Sequence, residues 1–316
     1  MLLQVHLLML IWTLSVGQVS CCDYSGSMCG ARGPGDIIIG VLNACHSKVA
    51  NLEGRIQAER FNCTGFDLES FVETLAVIHT IDTINDSGFL PGIRLGYLVC
   101  DTCSDASKGI QDAIHMLAIN QTKPFGCDLI ERPLVKAIIG ARYSEVSTAV
   151  ARLLGLYMVP QISATSSANT LDDTLRYPSF FYAPYLVTCI DPRPGPAHGP
   201  FFKWNWVGVV SGDYDDYGRA ALHDFLKYAE DVNVVRTSMR SYRITWTTLR
   251  AGDGLTRLLT HIQSSDARVF CLILKGQLVE QLFRVMISKG ISRTWIATDS
   301  WSQYQAVAEM TGISIR

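Results

Sequence analysis

The chain has 316 residues, 48% of them hydrophobic and 18% charged, which is ample for buried cores and excludes a disordered chain. Lys and Arg number 27 against 29 Asp and Glu, a formal net charge of -2, so no basic excess exists to neutralise phosphates and no nucleic-acid partner is expected. At about 150 residues per domain the length suits two domains.

Leu7 to Val16 reads LLMLIWTLSV, an apolar run of the length of a signal-peptide core, and the small or polar Gly17, Gln18, Val19 and Ser20 follow it. Residues 1–20 are therefore predicted to be a secretory signal peptide, although His6 is the only basic group ahead of the run. No other apolar run reaches the ~18–20 residues of a membrane helix. Ten Cys suit a large exported domain carrying a few bridges. Three glycosylation sequons, at Asn62, Asn85 and Asn120, agree with export.

A Gly- and Cys-rich lead precedes Asp36–Leu42, whose Ile triplet reads as a strand buried on both faces. Residues 66–85 place Leu68, Phe71, Val72, Leu75, Ile78 and Ile81 at helical spacing. The alternation continues with a strand at Ile93–Val99, a helix at Ser107–Asn120, a strand at Val135–Ile139 and a helix at Ser144–Leu156. A strand at Tyr157–Ile162 and a short helix at Ala168–Leu175 complete this block. Residues 182–200 then contain five Pro, which excludes helix and ladder alike and marks a linker. The alternation resumes with strands at Trp206–Ser211, Arg268–Leu274 and Thr294–Ala297 and helices at Gly218–Glu230 and Val279–Lys289. Strands alternating with helices predict βαβ units and parallel sheets.

In open parallel sheets ligands bind beyond the carboxyl ends of the strands. After Ile139 comes Gly140-Ala-Arg-Tyr-Ser144, where a hydroxyl and helix-start amides make either an anion site or a plain N-cap. After Ile162 comes Ser163-Ala-Thr165-Ser166-Ser167, a second hydroxyl-rich loop. The two loops together could hold one carboxylate. Asp213-Tyr-Asp215-Asp-Tyr217, after the next strand, joins carboxylates to aromatic rings and could grip an ammonium group, or be an acidic helix cap. Asp299 is a lone carboxylate at a later strand end. Hydroxyls from the first block and carboxylates from the second match the charge pattern of an α-amino acid zwitterion.

Enzyme signatures are poor: there is no GxSxG, Walker loop or GxGxxG after a strand, and seven scattered His form no HxH or HExxH pair. No metal, cofactor or catalytic residue is expected. Cys100-Asp-Thr-Cys103 reads as a redox pair, half a zinc site, or a structural disulfide made by one of the two cysteines. An exported α/β enzyme using this CxxC and a non-functional fragment are the alternative readings.

Several motifs stand in one order along the chain: Gly35-Asp-Ile-Ile-Ile-Gly, Phe61-Asn-Cys63, Asp101-Thr-Cys103, Ile139-Gly-Ala-Arg-Tyr-Ser-Glu-Val-Ser147, Val159-Pro-Gln-Ile-Ser163, Tyr177-Pro-Ser-Phe180, Trp204-Asn-Trp-Val-Gly208 and Asp215-Asp-Tyr-Gly-Arg219. In these the chain resembles the extracellular ligand-binding domain of class C G-protein-coupled receptors, of the amino-acid-sensing kind. The resemblance implies a periplasmic-binding-protein-like (type I) α/β clamshell of two lobes with parallel sheets. It divides the chain into a first lobe at 35–181, a Pro-rich crossover at 182–203 and a partial, truncated second lobe at 204–316. It implies an L-amino-acid ligand, expected to be basic. Dimerisation through the first lobe is implied, as are an extracellular location and a G protein reached only through a membrane domain outside this chain.

The resemblance also assigns residues. Ser144 and Ser167, with Ser166 beside them, hold the ligand carboxylate, and Thr165 makes a contact to the amino group. Tyr217, Asp299 and Asp215 face the ligand from the second lobe. Cys63 bonds Cys103, and Cys127 bridges two protomers. The chain departs from the pattern at Val187, where an aspartate is expected, and at Val235, where a cysteine is expected.

Overall fold

The computed structural model describes residues 29–56, 61–117, 135–182, 207–212, 216–231, 242–244, 253–302 and 304–312. Strand β1 (Ala31–Gly33) leads into β2 (Ile37–Asn43), β3 (His46–Val49), β4 (Cys63–Phe66), helix α1 (Leu68–Ser87), β5 (Leu95–Asp101) and α2 (Ala106–Leu117). Then follow β6 (Val135–Gly140), α3 (Ser144–Tyr157), β7 (Gln161–Ser163), a 3-10 turn (Asn169–Asp172) and β8 (Phe180–Tyr182). The second block holds β9 (Val207–Gly212), α4 (Asp216–Asp231), β10 (Tyr242–Ile244), α5 (Asp253–Ser264), β11 (Val269–Ile273), α6 (Gly276–Ser288), β12 (Thr294–Ala297), α7 (Asp299–Ser302) and α8 (Gln305–Ala308).

Two sheets organise these elements. The first has the order β1-β5-β2-β6-β7-β8, parallel except for β1, which pairs antiparallel with β5. The second has the order β10-β9-β11-β12 and is parallel throughout. The principal strands of both share a doubly wound plan: the first strand is central, the second lies on one side, and the later ones extend on the other. That plan puts a crevice at the carboxyl end of the first and third strands. Each sheet has its own core. Leu42, Met116, Ile138, Val146 and Leu154 pack in the first lobe. Phe270, Leu272, Leu278, Leu282 and Met286 pack in the second. The apolar runs of β2 and β11 are long because helices cover them on both faces.

Helix α1 begins two residues later than its apolar spacing predicts. Asp67 is its N-cap, accepting from the Ser70 amide at 3.2 Å, and Gly88 ends it in the left-handed conformation. Helix α3 runs on through Tyr157, so the strand expected over Tyr157–Ile162 shrinks to Gln161–Ser163. Met158 caps α3 at φ 52, and Pro160, which has no amide hydrogen, starts the return to extended chain. The helix expected over Ala168–Leu175 is only the 3-10 turn. Helices α5, α7 and α8 and the short strands β1, β3, β4, β8 and β10 have no counterpart in the sequence reading. The expected linker over 182–200 lies outside the described residues apart from Tyr182, the last residue of β8.

Candidate functional site

The loops after β6 and β7 are tied together by hydroxyls. Gly140 closes β6 at φ +114, and a Cβ there would stand 1.9 Å from the Leu42 carbonyl oxygen, so only glycine lets β6 lie against β2 at this point. The next carbonyl, that of Ala141, accepts from three hydroxyls: Ser163 at 2.8 Å, Ser166 at 3.0 Å and Ser147 at 3.1 Å. The Ala141 amide donates to Ser147 Oγ at 3.0 Å, and the Ser147 and Ser166 hydroxyls lie 2.7 Å apart. Thr165 Oγ1 donates to the Arg142 carbonyl at 2.9 Å, and the Ala168 amide donates to Ser144 Oγ at 3.2 Å. The network sets both loops in one shape, with the start of α3 facing out of the sheet.

Over this corner lies a cleft of about 530 Å³ whose walls come from both lobes. The first lobe contributes Asp67, Glu69 and Glu73 from the start of α1, Arg142 to Glu145 from the loop after β6, and Thr165 and Ser167 from the loop after β7. The second contributes Tyr217, Lys275 to Gln277, Thr298, Ser300, Trp301 and Tyr304. The loops after β6, β7, β11 and β12 supply most of these, as the doubly wound plan dictates. Trp301 is fixed by its indole N–H donating to the Leu272 carbonyl at 2.8 Å, and Ser300 donates to the Leu274 carbonyl at 2.8 Å. Gly276 leaves room for the Tyr304 ring, since a Cβ there would come within 2.5 Å of it.

Most of the described charges in the cleft are paired, while Asp67 caps α1. Arg142 meets Glu73 and, at 3.1 Å, Glu69. Burial works against its charge, but Glu73 foremost, then Tyr143 and Glu69, more than compensate and hold the guanidinium above its ordinary range. Lys275 Nζ donates to Glu145 Oε1 at 2.6 Å, crossing from the second lobe to the first. Asn169 and Asp224 make another crossing, with the amide nitrogen 2.7 and 2.9 Å from the two carboxylate oxygens. Burial, and then the Glu280 carboxylate, push the Tyr304 phenol up to about 12, so it stays a neutral donor.

Of the residues expected from the sequence, Ser144, Thr165, Ser167 and Tyr217 line this one cleft. Ser144 is not the N-cap of α3: Tyr143 holds that position, and Ser144 is the first helical residue, 3% exposed. Ser166 does not line the cleft; its hydroxyl is committed to the network beneath. Asp299 begins α7 directly after β12 and Thr298, at the cleft end of the second sheet. Asp215, Cys127, Val187, Val235 and Asn120 lie outside the described residues. Ser147, Ser163, Glu145 and Lys275 carry much of the geometry and were not singled out. Only the hydroxyl richness of the two loops pointed toward the serines.

Cys63 and Cys103 form a disulfide, and Cys100 of the same CxxC bonds Cys29, so the motif is shared between two bridges and has no internal bond. Among the described residues Cys45 is a free thiol, half-buried beside Thr74. His46, Cys63 and Asp101 cluster closely enough for a metal. Cys63 is spent in its bridge, however, and His46 Nδ1 lies 2.5 Å from the Asp101 carboxylate. Asn62 is exposed. Asn85 is not: its side-chain amide donates to the Leu95 carbonyl at 2.9 Å and accepts from the Leu95 amide at 2.8 Å.

Comparison with known proteins places this architecture. Residues 72–313 match the receptor family ligand binding region, and the chain belongs to that family. Its relatives there are class C G-protein-coupled receptors. The G-protein coupled receptor family C group 6 member A of Homo sapiens is 34% identical over 295 residues, 89% of this chain and 31% of the relative. The same receptor of Carassius auratus is 28% identical over 316 residues, 90% of this chain and 34% of the relative. The extracellular calcium-sensing receptor of Bos taurus is 29% identical over 314 residues, 94% of this chain and 28% of the relative. The chain thus spans about a third of the length of these relatives. Among the described residues no helix is long and apolar enough to cross a membrane.

Proposed function

We propose that this chain is an amino-acid-binding region of a class C receptor, acting outside the cell as a binding module and not as an enzyme. One observation carries the reading. A corner made of the Ser144, Thr165 and Ser167 residues and the start of α3 opens into a cleft that the second lobe closes. Hydroxyls and helix-start amides suit a carboxylate, contributing on the order of 1.5–3 kcal/mol per charge-assisted bond. Tyr217 and Asp299, from the second lobe, are the proposed partners of the ligand ammonium. A basic side chain is the expected preference, and the Asp67 carboxylate, which lines the cleft outside the Arg142 cluster, is consistent with it. Binding across both lobes favours their closed arrangement by the ligand's differential affinity for it. Through the rest of a longer receptor that closure would reach a G protein, and dimerisation through the first lobe is part of the same proposal.

Calorimetry of the full chain against L-arginine, L-lysine and L-alanine, with D-enantiomers as controls, tests this. Binding of an L-amino acid is expected, weakened ten- to a hundred-fold by Ser144→Ala with the fold intact. Absence of heat with every amino acid, or equal binding by the Ser144→Ala chain, refutes the reading.

A further inference from the structure

Lys275 stands where local electrostatics disfavour it. It is the N-cap of α6, at the end of the helix where the unpaired amides carry partial positive charge, and the first turn of α6 contains no acid. The compensation comes from the other lobe. Its ammonium donates to Glu145 Oε1 at 2.6 Å and lies 4.2 Å from the centroid of the Tyr143 ring. A cation at that distance over a ring face is attracted by the ring's quadrupole. Glu145 sits in the first turn of α3, where a negative charge is favoured. The two charged side chains retain 13% and 20% of their exposure, so water screens this pair less than a surface pair. Tyr143 and Glu145 flank Ser144 in sequence, so these groups share one loop with the hydroxyl corner.

We propose that Tyr143 and Glu145 form a cation-binding subsite for an alkylammonium group, and that Lys275 is its resident, a tethered cation that holds the two lobes together over the cleft. The subsite is built entirely on the first lobe, and its occupant is supplied by the second. A local cost at the start of α6 is thereby exchanged for a contact that exists only when the lobes meet. The inference concerns regulation of the cleft described under the proposed function, but it needs no amino acid to be bound.

Hydrogen exchange on the full chain, without any amino acid, tests it. Lys275→Ala should speed exchange of the cleft amides at 143–147 and 275–279 about tenfold, the size expected of a partly buried ion pair. Excess n-butylammonium should restore most of that protection in Lys275→Ala, and should restore nothing in the Lys275→Ala/Glu145→Gln double variant, whose cage lacks its charge. The swap Lys275→Glu with Glu145→Lys should protect better than either single reversal, which keeps the test decisive if Lys275→Ala folds poorly. Wild-type protection in Lys275→Ala, or a loss that neither butylammonium nor the swap repairs, overturns the proposal. Amino-acid binding by the wild-type chain is scored separately, so failure of the ligand reading leaves this outcome distinct.

Discussion

Ser147→Ala isolates the network beneath the cleft from the cleft itself. Ser147 is fully buried in α3, and its hydroxyl accepts from the Ala141 amide at 3.0 Å while lying 2.7 Å from Ser166 Oγ. Alanine removes one oxygen and leaves almost no cavity, so packing changes little. The Ala141 carbonyl keeps the Ser163 and Ser166 hydroxyls. The Ala141 amide loses its acceptor on a residue only 1% exposed. Stranding one buried donor costs about 1–3 kcal/mol, and roughly 2 kcal/mol is expected here. Hydrogen exchange at the β6 and α3 amides, followed through a urea titration, should show a lower midpoint with an unchanged slope, the signature of a stability change alone in this lobe. A loss below about 0.5 kcal/mol, the level of an ordinary surface substitution, would refute the idea that this hydroxyl sets the loop after β6.

Three further expectations follow from other parts of the molecule. Non-reducing peptide mapping should recover Cys29 joined to Cys100 and Cys63 joined to Cys103, across separations of 71 and 40 residues. Each bridge is worth about 4 kcal/mol in the chain-entropy model, and a Cys100–Cys103 bond would contradict the structure. In protein from secretory cells Asn62 should carry a glycan and Asn85 should not, because the Asn85 amide is clamped to the Leu95 backbone; glycopeptide analysis decides it. Burial pushes the Asp112 carboxyl, partnered by Lys108, up to about 7. A carboxyl whose folded pKa is raised binds its proton more tightly in the folded chain. Its stabilising contribution is therefore full below the unfolded value near 4 and fades as pH rises to about 7. Melting temperature measured from pH 5 to 8 should show this decline, and Asp112→Asn should flatten it; an unchanged slope would count against a buried carboxyl at this site.

The strands β2, β5, β6, β9, β11 and β12 were legible because each is an apolar run broken by charged or turn residues, the mark of a strand covered on both faces. Helix α5 carried an equally clear signal that went unread. Leu255, Leu258, Leu259 and Ile262 follow helical spacing, and the last three are buried in the second core. The β3–β4 hairpin gave no such signal: its residues are exposed or half-buried, and it is held by the Cys63 bridge and the His46–Asp101 contact. At the site, the hydroxyl-rich loops after two strands pointed to residues that line one cleft. They could not distinguish Ser144 and Ser167, which line the cleft, from Ser166, which turns beneath it.

Local pattern was enough to determine that strands and helices alternate, that the principal strands are parallel and that hydroxyl-rich loops follow β6 and β7. Each of these depends on periodicity and on what stands within a few residues of a strand end. Pairings between distant residues were settled only in three dimensions. Which partner each cysteine of the CxxC takes depends on where Cys29 and Cys63 are carried by β1 and β4. Lys275 meets Glu145 across 130 residues only because two independently wound sheets present their carboxyl ends to each other. No sequence window contains both charges, so the ion pair that crosses the cleft is a property of the tertiary structure alone.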